Sequence, residues 1–227
     1  MKTMVLGEAL IDELGDERLV GGSPLNVAVG LGRLGVPVTF ASHFGTDELG
    51  DLVARHLRSA GVVLAPGSQT ARRTTVARAT VGPDGSAQYR FDLHWRPSRF
   101  DASGFALIHV GSLGAYIPAG MAALDSSLRS RSKGTIVSFD PNIRPGILDS
   151  HEGAVARTEA LVRESHIVKM SEEDAAWLHP HASVEAVLHE LIASGAQLAV
   201  VTRGGRGYTA ADARGPWESA SVEPAAV

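Results

Sequence analysis

The chain has 227 residues, 44% of them hydrophobic and 20% charged, with a formal net charge of -4 and no cysteine. That length buries one sizeable core, and the mild negative charge excludes long-range attraction to nucleic acid or to an anionic membrane, which points to small-molecule chemistry. The lack of cysteine excludes disulfides and thiolate metal sites, and no apolar run reaches the roughly 18 residues of a membrane span.

In chain order, short apolar runs at residues 4–6, 36–40, 106–110, 135–139, 166–170 and 198–202 predict strands buried on both faces. Between them, residues 25–34, 47–60, 120–130, 152–163 and 184–193 carry apolar side chains near i, i+3, i+4 and i+7, the helical spacing. Opening residues 1–6 are too short for a signal core and are broken by Gly7-Glu8, so they read as a first strand and the location as cytoplasmic. Alternation of this kind predicts one α/β domain over residues 1–227, a three-layer α/β/α sandwich on a doubly wound, mainly parallel sheet, with ligands at the carboxyl ends of the strands. One region departs from it. Residues 74–81 and 86–93 alternate with period two around Gly82-Pro83-Asp84-Gly85, a hairpin signal. A small β-sheet lid over residues 72–96 is expected, with residues 13–20 as its partner strand.

The run Gly21-Gly22-Ser23-Pro24-Leu25-Asn26 combines a permissive backbone with a helix start, Ser23 as N-cap, Pro24 as first helical residue and Asn26 offering a donor and an acceptor in the first turn. It suits a polyol. Asp12, in Gly7-Glu8-Ala9-Leu10-Ile11-Asp12, is expected to emerge beyond the first strand, where a carboxylate accepts hydrogen bonds from two vicinal hydroxyls. In Asp140-Pro141-Asn142-Ile143-Arg144 the arginine is suited to hold phosphate oxygens and to steady transition-state charge. Lys169-Met170-Ser171-Glu172-Glu173-Asp174 places a cation and three acids at a strand-to-helix junction, where Glu173 and Asp174 can organise Mg²⁺ through its water shell. Thr202-Arg203-Gly204-Gly205-Arg206-Gly207 leaves another strand as a turn able to present N–H groups and a hydroxyl to phosphate.

Other motifs are set aside by context. Gly30-Leu31-Gly32-Arg33-Leu34-Gly35 has the spelling of a dinucleotide site but closes a helical run instead of opening one, so Gly35 reads as a helix C-cap. His179-Pro180-His181 has no third ligand at suitable spacing and reads as a solvated turn. Neither a Walker A loop nor a G-x-S-x-G elbow occurs in the sequence.

Taken together, G-E-A-L-I-D, G-G-S-P-L-N-V-A-V-G-L-G-R-L-G, F-G-T-D-E-L-G, D-P-N-I-R, K-M-S-E-E-D and V-T-R-G-G-R-G, in this order, resemble the ribokinase-like, or PfkB, carbohydrate kinases, most closely the fructokinase branch. The resemblance implies ATP-dependent phosphorylation of a sugar hydroxyl, most simply fructose, with Mg²⁺ and with K⁺ as a further candidate ion. It implies Asp12, Gly22 and Asn26 at the sugar, Arg96 as a further sugar candidate and Arg144 at the transferring phosphate. Lys169, Thr202, Gly204 and Gly207 then meet the nucleotide, and the lid pairs two copies into a homodimer. Alternatives are a kinase of another sugar, polyol or nucleoside, and a non-catalytic sugar- or partner-binding relic. The sequence departs from the family pattern in two places. It has Ser171 and Asp174 where N-x-x-E is usual, and residues 219–227 stop short of a D-T-x-G-A-G-D segment that carries the anion hole and the catalytic base. The expectation is therefore that these 227 residues alone turn over near background while still able to hold a sugar.

Overall fold

The computed structural model describes residues 2–81 and 87–219. The hairpin turn at 82–85 and the tail from 220 lie outside the described residues. The chain divides into two compact units, one of residues 1–135 and 144–148, the other of residues 136–143 and 149–227.

The first unit runs β1 (Thr3–Leu6), β2 (Leu10–Leu14), β3 (Glu17–Gly21), α1 (Ser23–Arg33), β4 (Val38–Ala41), β5 (Phe44–Gly45), α2 (Glu48–Ser59), β6 (Val63–Leu64), β7 (Gln69–Ala71), β8 (Thr75–Val81), β9 (Ala87–Asp92), β10 (Leu107–Gly111), α3 (Leu113–Tyr116) and α4 (Pro118–Arg129). Strands β10, β1, β4 and β6 lie side by side and parallel, as the buried apolar runs predict. Val5, Val38 and Phe40 pack with Leu25, Ala28 and Val29 of α1 and Val53, Ala54 and Leu57 of α2 in one core cluster. Met4 and Leu6, one residue out of phase with Val5, are buried on the other face. A second sheet has the order β3-β2-β8-β9. Here the expected partner segment 13–20 is corrected: it is not one strand but the meeting of two, β2 and β3, which turn back at Gly15 with φ +59°. Asp12 consequently sits within β2, opposite Leu19 and Ala77, and not in a loop after the first strand.

The segment Phe44-Gly45-Thr46-Asp47-Glu48-Leu49-Gly50 is a structural knot. Asp47 caps α2: Oδ1 accepts from Gly50 N at 2.9 Å and from Thr74 Oγ1 at 2.6 Å, and Oδ2 from Thr74 N at 3.0 Å. Burial works against its charge, but these hydrogen bonds outweigh it and hold the carboxyl below its ordinary range. A Cβ on Gly50 would stand 1.9 Å from the Gly45 carbonyl oxygen, so only glycine lets the helix start this close. Asp47→Ala is expected to lower stability by about 2 kcal/mol or more, since it removes the cap and orphans two buried donors of Thr74; urea denaturation measures it.

The second unit runs β11 (Ile136–Asp140), α5 (His151–Arg163), β12 (Ile167–Ser171), α6 (Glu172–Leu178), α7 (Val184–Ala193), β13 (Leu198–Thr202), β14 (Tyr208–Asp212) and β15 (Gly215–Ser219). β11, β12 and β13 are parallel, and β14 and β15 continue antiparallel from β13. Phe139, Val168, Met170, Ala199 and Val201 form buried strand faces, and Leu161, Val187, Leu188 and Leu191 the buried helix faces. Each unit is thus an α/β layer whose parallel strands end in the polar loops singled out by the sequence.

Candidate active site

In the first unit, three small residues bring chain segments together beyond β1. A Cβ on Gly7 would meet Pro24 at 2.2 Å, and one on Gly114 would meet the Trp95 ring at 3.0 Å and the Gly7 backbone at 3.6 Å. The turn into α1 differs from the sequence expectation: Ser23 is already the first helical residue, and the N-cap position belongs to Gly22, at φ +114° and ψ +124°. This conformation is open to glycine and strained for other residues. The reason is steric as well, because a Cβ there would lie 2.7 Å from the Glu8 carbonyl oxygen. Asn26 is exposed in the first turn, and its backbone N donates to the Gly22 carbonyl at 2.9 Å.

Asp12 leans across this turn. A Cβ on Gly21 would fall 2.1 Å from Asp12 Oδ2, so the missing side chain at 21 is what leaves room for the carboxylate. Half-burial pushes the Asp12 carboxyl up, and the field of Arg144 opposes the shift. Arg144 itself is exposed, just before the short turn Pro145–Ile147. Arg96 is exposed beyond the small sheet, and its backbone N donates to His43 Nδ1 at 3.1 Å. Next to it Trp95 is buried, with Nε1 donating to Ser42 Oγ at 3.3 Å. Sequence reasoning gave Glu8 no role. It is 1% exposed, and its Oε2 accepts from Gly114 N at 3.3 Å. A carboxyl flanked by Gly7 and Ala9 at the end of an apolar strand is the sequence signal for such a residue.

In the second unit the strand register brings Asp140 beside Lys169, with Nζ 3.0 Å from Asp140 Oδ2. Burial pushes the Asp140 carboxyl up against the lowering effect of the Lys169 ammonium, and its Oδ1 is buried without a hydrogen-bond partner. Asn142, two residues on, has φ +41°, a strained backbone of the kind that collects at functional sites. Asp174 belongs to a capping box with Ser171: its Oδ2 accepts from Ser171 N at 3.1 Å and Ser171 Oγ at 2.8 Å, and its Oδ1 accepts from Ile143 N at 2.7 Å. This carboxylate ties the Asp140–Ile143 loop to α6 and is 6% exposed, whereas Glu173 is exposed on the same turn. Among the described residues no three His, Asp or Glu side chains group so as to hold a metal ion. Thr202 ends β13 with Oγ1 3.4 Å from the Met170 carbonyl, and Gly204 and Gly207 follow at φ +56° and +83°. Glu172 joins this turn to α6 by pairing with Arg206 and, at 3.7 Å, with Arg203. The C-cap of α1 is Leu34 and not Gly35 as expected; Gly35 follows it at φ +78°, the left-handed turn that ends the helix.

Parallel strands ending in a glycine turn in one unit and in a Lys–Asp pair with a glycine-rich turn in the other are those of an α/β protein of the ribokinase-like class. The Xylella fastidiosa fructokinase structure superposes with a TM-score of 0.81 at 27% identity, covering 98% of this chain and 76% of that one. A structure of fructokinase from the same organism with bound ATP gives 0.78 at 26% identity, covering 96% and 76%. The family model of the pfkB family carbohydrate kinases matches residues 9–227, and the chain belongs to that family. The fructokinase of Rhizobium leguminosarum bv. trifolii is 30% identical over 219 residues, which cover 88% of this chain and 67% of the relative. The chain spans about two-thirds of the length of several curated fructokinases that it matches.

Proposed function

We propose that the protein is an ATP-dependent sugar kinase with fructose as the acceptor. The observation that carries this reading is the Asp12 carboxylate lying over the side-chain-free Gly21 within the field of Arg144. A carboxylate so placed accepts from two neighbouring hydroxyls, and the guanidinium can neutralise a phosphoryl group delivered to a third. In this reading Asp12, Gly22 and Asn26 hold the sugar and Arg96 closes over it. Lys169, Thr202, Gly204 and Gly207 hold the nucleotide phosphates, with Asp140 fixing the Lys169 ammonium.

As the new bond forms between the sugar oxygen and the γ-phosphorus, the bond to the ADP oxygen breaks and the hydroxyl proton leaves. A Mg²⁺ would be carried mainly by nucleotide phosphates, with the exposed Glu173 as the carboxylate that would hold its water shell and Asp174 fixing the loop. When bound, the ion neutralises phosphate charge; K⁺ is proposed alongside it without an assigned ligand. The base stays assigned, by resemblance, to a D-T-x-G-A-G-D segment. Leu14 and Leu19, exposed on the small sheet, support pairing of two copies through it, and a cytoplasmic location accords with the cysteine-free sequence.

Thermal-shift and calorimetric titration with fructose, ribose, adenosine and Mg-ATP tests the assignment. Fructose and Mg-ATP are each expected to raise the melting temperature, because a ligand that binds only the folded state stabilises it. Stabilisation by adenosine or ribose and not by fructose would move the acceptor to another member of the same chemical class. No response to any polyol would overturn the reading.

A further inference from the structure

We propose that Glu8 is a positioning residue of the acceptor site, which holds the Ser112–Gly114 turn in place and sets, through its charge, how strongly Arg144 attracts an anion. The inference rests on the reading of Arg144 as the phosphoryl-facing cation. Glu8 lies in the loop between β1 and β2 and is 1% exposed. Its Oε2 accepts from Gly114 N at 3.3 Å, and its carboxyl also receives the Ser112 hydroxyl. Ser112 is one of two non-glycine residues at positive φ among those described, with φ +53° and ψ -145°. Such a backbone persists only where its surroundings hold it. The buried carboxyl receives both the side chain of the strained residue and an amide two residues on. On its other side, the Glu8 carbonyl oxygen fills the space that a Gly22 side chain would need, so the same residue touches the polyol turn.

Arg144 is the charged group whose field reaches Glu8, and Asp12 on β2 feels the same guanidinium. The facing groups on α3 and its cap are the neutral Ser112 hydroxyl and Gly114 amide. On β10, His109 pairs in register with Val5, three residues before Glu8. The two carboxyls therefore share one cation. Ionised Glu8 tempers the pull of Arg144 on a third anion, and neutral Glu8 restores it. Burial pushes the Glu8 carboxyl up to about 7, so this exchange falls near neutrality.

Sulfate, which keeps its charge across this range, is the probe for the phosphoryl position, and D-fructose the probe for the polyol position. Both are titrated by NMR at about pH 6 and about pH 8 into the wild-type protein, Glu8→Gln and Glu8→Ala. Wild type is expected to bind sulfate about 5-fold more weakly at the higher pH, beyond any change in the variants, a plausible size for one screened charge. Glu8→Gln, which keeps an acceptor for Gly114 and Ser112, is expected to lose this pH step and to retain fructose. Glu8→Ala is expected to weaken both ligands, because the turn loses its anchor. A sulfate profile in Glu8→Gln parallel to wild type, or Glu8→Ala binding both ligands as tightly as Glu8→Gln, overturns the role of Glu8. Wild-type protein that shows the sulfate step without binding any hexose supports Glu8 and overturns the sugar reading.

Discussion

Asp12→Ala is expected to weaken fructose binding by about 100-fold or more, with the fold intact. Two hydrogen bonds from hydroxyls to a partly buried carboxylate contribute about 1.5–3 kcal/mol each, and alanine at 12 leaves the backbone pairing of β2 with β3 and β8 in place. A smaller loss of the same kind should follow from a residue that touches no sugar. In Gly21→Ala the new Cβ would stand 2.1 Å from Asp12 Oδ2, well inside van der Waals contact, and the short acidic side chain is the part able to move. The carboxylate then swings off the turn, stability changes by about 1 kcal/mol or less, and affinity falls about 10- to 100-fold. A double-mutant cycle separates displacement from general damage: in the Asp12→Ala background Gly21→Ala should cost nothing further. Fructose binding by Asp12→Ala at wild-type strength would remove the carboxylate from the site.

What the sequence made legible follows the range of the physical signal. The helix at Val184–Ala193 and the strand at Leu198–Thr202 agree with expectation to the residue, because each is set by its own periodicity. The helix cap at 22 instead of Ser23 depends on a carbonyl 14 residues away in sequence, that of Glu8, which no local pattern encodes. Strand β2 is not legible in the sequence, which places Asp12 beyond the first strand, since Leu10-Ile11-Asp12-Glu13-Leu14 lacks strict alternation and gains its strand from pairing with β3 and β8. Asp140 and Lys169 meet because parallel register aligns Ser138 with Ile167 and Phe139 with Val168, a relation between strands that neither strand shows alone. Ser171-x-x-Asp174 was readable as acids in a first helical turn, but that its carboxylate would also accept from Ile143 required the loop after β11 in place.

Glu8 supplies the second large effect, in the protein without ligand. Burial raises its folded-state carboxyl from the ordinary 4.5 to about 7, and hydrogen bonds from Ser112 and Gly114 and the field of Arg144 only partly offset that cost. A carboxyl raised on folding favours the folded state while it is neutral; that stability is whole below about pH 4.5, shrinks as pH climbs, and is gone above about pH 7. The size is about 3 kcal/mol, from a shift of about two and a half pH units at 1.36 kcal/mol each. Asp47, held low by Thr74, acts in the opposite sense and at lower pH, so it does not cancel the slope in this window. Glu8→Gln replaces the titrating group with a neutral one of the same shape and should flatten the stability curve between about pH 5 and pH 8. Urea denaturation at both ends of that window, followed by the fluorescence of the buried Trp95 with the two other tryptophans replaced by phenylalanine, reads the unit that contains Glu8. A wild-type slope that persists unchanged in Glu8→Gln would mean that another buried group carries it, and that the Glu8 carboxyl is ionised throughout against the amide of Gly114.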